Sequence, residues 1–176
     1  MGEIYIIGTE HDMLPRRKNE FQSLLKTLNP DQILVEIVQK DLKSGKTGKY
    51  PKEMVFAAKW GNKNKKVVMG FDAPIEIARK DNTKQRYIDV LNKVRKLVKG
   101  LSWEDINRKS YPHKTEVSRL ITELIDKKKH DAREKQMLKN VRKMTLKDGK
   151  ILILTGAMHL DFFEKHIKGA IFPLRK

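Results

Sequence analysis

The chain contains no cysteine. That excludes a disulfide scaffold, a thiol nucleophile and a zinc site ligated by cysteine. Nor is there an apolar run of about 18 residues, the length that a membrane-spanning helix needs. The first residues, Met1-Gly2-Glu3-Ile4-Tyr5, enter an apolar stretch at once. They lack the basic and small-residue flanks of a signal peptide, so a cytoplasmic protein without a membrane span is the expectation. Internal repeats are absent, and acidic residues are few: 22 Asp and Glu stand against 39 Lys and Arg, a net charge of +17.

The length of 176 residues fits one domain, since single domains run to about 100–200 residues. Hydrophobic residues make up 39% and are clustered, whereas a disordered chain would have them sparse. Four short apolar runs stand out: Ile4–Ile7, Ile33–Val38, Val67–Met69 and Ile151–Leu154. Each is continuous rather than alternating, which suits strands buried on both faces of a parallel sheet. Helical spacing lies between them. Phe21, Leu24, Leu25 and Leu28 form one stripe that Asn29-Pro30-Asp31 ends, and Pro51 opens a second helix that reaches Trp60. The alternation predicts an α/β fold with a mostly parallel central sheet flanked by helices.

After the third strand the order changes. Stripes at residues 85–99, 116–125 and 132–144, with Ser102 and Asp105 spaced as a capping box, predict a helical insert over about 79–147. It separates the third strand from the last long one and is expected to cover the carboxyl edge of the sheet as a single-layer lid. The insert holds 21 Lys and Arg against 9 Asp and Glu, a local excess of +12. Two readings are open: solvated helix faces, or a basic rim that draws in an anionic partner.

The residues that could carry chemistry fall after the strands. Gly8-Thr9-Glu10-His11 follows the first, and Gly156-Ala157-Met158-His159 follows the last. Loops after the carboxyl ends of strands line the ligand crevice of an α/β sheet, and a glycine there allows a sharp turn. Two neutral imidazoles on one edge can bind a metal or act as base and electrophile. Glu36 sits inside an apolar strand, where a carboxylate is costly unless paired or ligated. It is either a structural carboxylate at the strand end, or a metal ligand or general base. Asp72 follows the third strand and either caps the turn at Ala73-Pro74 or joins the same edge. Arg133 opens a helix and can clamp a carboxylate or a developing oxyanion. His113, His130 and His166 lie in polar or charged surroundings and are expected at the surface. Gly45-Lys46-Thr47 is not a phosphate-binding loop, because Lys40 occupies the position of its first glycine. The runs Arg16-Arg17-Lys18 and Lys127-Lys128-Lys129 lack the interleaved aromatics of a base-stacking surface.

With the two G-x-x-H segments, Glu36, Gly70-Phe71-Asp72 and the helix Arg133-Glu134-Lys135-Gln136-Met137-Leu138-Lys139-Asn140 in order, the sequence resembles the TraB/PrgY/Tiki group. That group is related to the erythromycin esterases and the ChaN-like proteins. The matches span residues 4–169. The resemblance implies an α/β core with a helical insert and a catalytic edge of both histidines, the glutamate and the arginine. Tiki members are regarded as metal-dependent proteases, the esterase branch opens macrolide lactones, and the PrgY branch limits peptide pheromone activity. This chain is shorter than most members, lacks their membrane segments and carries Glu10 where many have a small or apolar residue.

The sequence therefore predicts a hydrolase acting on a peptide or small-molecule ester. His11, Glu36 and His159 are expected to bind a divalent metal ion or to orient water directly. Arg133 is expected to stabilise the oxyanion, Asp72 to orient a histidine, and Glu10 and Glu134 to contact substrate. The alternative is a binding module that holds nucleic acid or another polyanion on the basic insert, with a degenerate catalytic edge.

Overall fold

The computed structural model describes residues 2–10, 14–74, 84–110 and 113–175. Four strands, β1 (Glu3–Thr9), β2 (Gln32–Val38), β3 (Val67–Asp72) and β4 (Lys150–Gly156), form one sheet in the order β1-β4-β2-β3. Every pairing is parallel. Each strand is slightly longer than its apolar run, and β3 continues through Gly70, Phe71 and Asp72 beside β2.

Successive side chains point to opposite faces, and both faces are covered. On one, Ile33, Val35, Ile37, Leu152 and Leu154 pack against α1 (Leu14–Leu28) and α3 (Lys52–Lys63) through Phe21, Leu25, Met54 and Ala57. A short α2 (Gln39–Ser44) precedes α3. On the other face, Ile4, Ile6, Leu34, Ile151 and Ile153 meet α7 (Lys127–Met144) and α8 (Leu160–His166) through Met137, Val141, Leu160 and Phe163. Burial on both faces is why the strands read as continuous apolar runs. The chain passes over β4 on its way from β1 to β2 and returns over β2 on its way from β3 to β4. That reversal of direction sends α7 to the opposite face from α1 and α3.

The segment between β3 and β4 holds α4 (Lys84–Leu97), α5 (Trp103–Asn107), α6 (Lys114–Leu124) and α7. Ser102 and Asp105 form the capping box that opens α5. The segment is not a single layer. Val90, Val94 and Val98 of α4 and its following turn pack on Val117, Leu120 and Leu124 of α6 as a separate apolar cluster. By contrast, α7 belongs to the sheet itself and is the crossover that a parallel β3-to-β4 connection requires.

The other helices of the segment are tied at the carboxyl edge. Trp103 stacks on Phe21 with ring centroids 4.7 Å apart, a contact worth about 0.5–1.5 kcal/mol beyond its burial. Lys114 pairs with Asp161 at the start of α8, at 3.6 Å. The side chain of Asn107 acts as a short piece of strand along β1. Its Oδ1 accepts from the Gly8 amide at 2.7 Å, and its Nδ2 donates to the Gly8 carbonyl at 2.9 Å. Further down β1, Ile171 exchanges backbone bonds with Ile4 and Ile6. An edge strand that would otherwise offer free backbone groups is thereby closed.

Gly8 matters for close approach rather than for a turn. A Cβ there would lie 2.6 Å from Leu160 Cδ1 and 3.0 Å from the Ala157 backbone. Gly156 has φ −60° and ψ 140°, open to any residue. Among the described residues, no helix is long and apolar enough to cross a membrane.

Candidate functional site

On β2, Leu34 and Glu36 share the face that α7 covers, because strand side chains repeat every second residue. Leu34 meets the apolar part of α7, while Glu36, closer to the strand end, meets its first turns. The pairing with β3 slips by one residue between Val35 and Val38, so Glu36 lies in a bulge. Bulges of this kind re-aim side chains near working sites. On β4, Ile151, Ile153 and Thr155 share the same face. Leu34 is in register with Ile153, which brings Thr155 opposite Glu36.

Glu36 is engaged on both oxygens. Oε2 accepts from Thr155 Oγ1 and from the Gly156 amide, each at 2.7 Å. Oε1 accepts from Arg133 Nη2 at 2.7 Å and lies 3.6 Å from His159 Nε2. Arg133 also donates through Nε to Asp72 Oδ1 at 2.9 Å. Its Nη1 faces His159 Nε2 at 3.5 Å. Asp72 thus holds the arginine rather than a histidine, and it caps its own turn by accepting from Ala73 N. The α7 helix is set at the right height by Met137 in the core and by Asn140, whose Nδ2 donates to the Phe71 carbonyl at 3.0 Å.

His159 ends a 3-10 turn over Ala157–His159 that follows β4 directly. Its ring is bracketed, with Nδ1 2.8 Å from Glu134 Oε1 and Nε2 toward Glu36. Glu134 Oε1 also lies 3.4 Å from His130 Nε2, and the two imidazoles stack with centroids 5.2 Å apart. The charged neighbours of His130 predict a surface position. It lies instead one turn before Glu134 on the inward stripe of α7, with its side chain 19% exposed. The signal was available: the stripe of Met137, Leu138 and Val141, continued back by two turns, reaches Arg133, Glu134 and His130. His113 is exposed, and His166 bonds the Phe162 carbonyl within α8.

Glu10 is partly buried directly after β1. Glu134 is placed as the partner of two histidines, with its side chain 11% exposed. His11 lies outside the described residues.

The charges are shifted together. Burial alone would raise the Glu36 carboxyl, but His159, Arg133 and the Gly156 amide hold it well below the usual carboxylate range. Glu134 is likewise raised by burial and lowered further by the two histidines, to about 2. Burial would lower the His159 imidazole, yet Glu36 and Glu134 lift it to about 9. Burial also opposes the Arg133 charge, and Glu36 and Asp72 more than restore it. Asp72 alone goes the other way: burial pushes it up, Arg133 pulls it down by less, and Glu36 adds to the rise. Glu36, Asp72 and Glu134 are three carboxylates against the one guanidinium of Arg133, a balance that favours the protonated His159 ring. Compared with protein-family models, with curated proteins and with solved structures, the chain matches none.

Proposed function

We propose that this cluster is the working site of a hydrolase acting on a peptide or a small-molecule ester, as the resemblance to TraB/PrgY/Tiki proteins implies. One observation carries the reading. Five ionisable side chains from four elements (Glu36, Asp72, Arg133, Glu134 and His159) meet in one nearly buried network at the carboxyl ends of parallel strands. Buried charge is costly even when paired, and strongly shifted groups of this kind gather where chemistry is done. His130, with its side chain 19% exposed, is the most open group beside the network, whose carboxylates and arginine are only 10–12% exposed. Glu36 and Arg133 meet the Nε2 side of His159 and fix its position. A divalent ion bound here would polarise a carbonyl and lower the pKa of a bound water.

The test is turnover of a panel of chromogenic esters and fluorogenic peptides, with and without added divalent metal. Arg133→Lys keeps the charge but loses the fork that spans Glu36 and Asp72. It is expected to cost about ten- to a hundredfold in kcat/KM, the usual effect of disturbing a group that orients a site residue. Lys135→Ala and Lys139→Ala, on the exposed face, are expected to leave turnover unchanged. Equal rates for all three variants would remove the cluster from catalysis.

A second reading has its own support. Of the basic residues on α7, Lys127, Lys128, Lys129, Lys135, Lys139 and Lys143 are all exposed. A polyanion held there would dissociate steeply as salt rises. Binding of arbitrary nucleic acid that weakens with salt, without turnover of any substrate, would favour this reading.

A further inference from the structure

We propose that His130, Glu134 and His159 are the ligands of a divalent transition-metal ion, and that Glu36 orients His159 from behind without touching the metal. The inference deepens the hydrolytic reading and rests on its placement of the working site at this cluster.

Three observations support it. The donor atoms of the three residues lie within 4.8 Å of one another. His130 and Glu134 are four residues apart on one helix, so both project from the same face. Their Nε2 and Oε1 atoms are 3.4 Å apart. Donors around a tetrahedral zinc ion at about 2.0 Å stand about 3.3 Å from each other. The 2.8 Å contact between Glu134 Oε1 and His159 Nδ1 has to open, by about half an ångström, to admit the ion, while the donors of His130 and His159 lie within 4.8 Å and close onto it. Two imidazoles and one carboxylate are the donor set of a hydrolytic zinc centre that keeps a fourth position for water.

The second observation is what lies on the far side of the His159 ring. A histidine that binds metal through one nitrogen almost always donates its other N–H to a carboxylate or carbonyl. With Nδ1 given to the ion, Nε2 points at Glu36 Oε1, 3.6 Å away. Glu36 is itself fixed by Thr155, Gly156 and Arg133. Because both of its oxygens are already engaged, it fits the orienting role better than ligation. The third observation is charge. With neutral imidazoles the cluster carries three carboxylates and one guanidinium, a balance that a doubly charged cation offsets. Arg133 does not oppose the ion directly, because it meets the His159 ring at Nε2, the side away from the three donors.

The experiment titrates the full chain, stripped with chelator, with Co2+ followed by visible absorption and with Zn2+ by calorimetry. One equivalent of Co2+ is expected to bind and give the absorption of a four- or five-coordinate nitrogen and oxygen site. His130→Asn is expected to weaken Zn2+ binding at least a hundredfold, and Glu36→Gln by about ten- to a hundredfold. His113→Asn, at an exposed histidine, is expected to bind as the parent does. His130 is the most open of the three ligands, so its variant should fold, which circular dichroism checks. Folded parent protein that takes up no stoichiometric metal, or His130→Asn that binds as tightly as the parent, overturns the proposal. Stoichiometric metal lost in His130→Asn, with no turnover of any substrate, keeps the metal site and sinks the hydrolase. Turnover that survives both chelator and His130→Asn keeps the hydrolase and sinks the metal site.

Discussion

At the carboxyl edge of the sheet, Glu36, Asp72, Arg133 and Glu134 keep only about a tenth of their side chains exposed, and His159 almost none. At the amino edge, Asp31 is exposed, and it accepts from the Lys150 amide at 2.8 Å to close a turn. Asn29 likewise meets Lys66 at the surface. Both edges place carboxylate or amide side chains at or beside the ends of the same strands. The amino edge uses them one at a time, in water, to finish backbone hydrogen bonds. The carboxyl edge takes them out of water together, where each depends on its neighbours for compensation. The first arrangement is what a turn needs. The second destabilises the fold if any one member is lost, and so marks a place where the chain holds charge for some other purpose.

The largest effect is expected from Arg133→Ala. It leaves Glu36 and Asp72 buried without their shared partner, and breaking a buried pair in this way costs about 3–5 kcal/mol. Urea unfolding measures it, with Lys135→Ala and Lys139→Ala as references on the exposed face of the same helix. Those two should stay within about 0.5 kcal/mol of the parent. An Arg133→Ala protein as stable as its references would mean that the carboxyl edge is no more cooperative than the amino edge.

The next effect is in the pH dependence of stability with chelator present. Folding lifts His159 from 6.5 to about 9, so its contribution is fully present below 6.5 and is lost as pH rises through 9. Folding lowers Glu134 from 4.5 to about 2, so its contribution is present above 4.5 and is lost as pH falls toward 2. Asp72, raised by burial, works against both by penalising its own ionised form. The melting temperature should therefore fall between about pH 7 and 9.5, and that slope should flatten in His159→Gln. A profile identical in parent and variant would show that the ring carries no extra proton in the folded state.

Much of the fold was legible because burial leaves a mark on sequence. Strands covered on both faces read as continuous apolar runs, interrupted only by Glu36 in the second, which located all four. The capping box at Ser102 and Asp105 and the stop at Asn29-Pro30 were visible because local backbone chemistry does not depend on distant contacts. Placing α7 was harder. Its basic composition resembles that of α4, and only the strand order, which sequence spacing does not encode, makes it the crossover on the second face. The same limit hid the partners of His130, although the α7 stripe marks its inward face. Its neighbours in sequence are lysines and aspartate, and its partners, Glu134 and His159, become visible as partners only when the helix face and the end of β4 are brought together. Glu36 and Arg133 could be singled out because a lone carboxylate in an apolar strand needs a partner wherever the strand lies.

The smallest effect tests the other side of the comparison. Asp31→Ala removes one exposed acceptor from the Lys150 amide, and the backbone bonds from Asp31 N to Lys150 O and from Val67 N to Asp31 O remain. The freed amide can turn to water, so the loss should be about 0.5–1 kcal/mol, the range of a single solvent-accessible hydrogen bond. A second consequence has the opposite sign. Gly149 has φ +90°, and a Cβ there would stand 2.6 Å from Asp31 Oδ2. Shortening Asp31 removes that obstacle, although the backbone strain of a non-glycine residue stays. The penalty of Gly149→Ala should therefore be smaller in the Asp31→Ala background than in the parent, which a double-mutant cycle by urea unfolding reads directly. Metal uptake should not change in either variant. If Asp31→Ala alone costs as much as Arg133→Ala, the amino edge is as tightly coupled as the carboxyl edge, and burial of charge no longer distinguishes them.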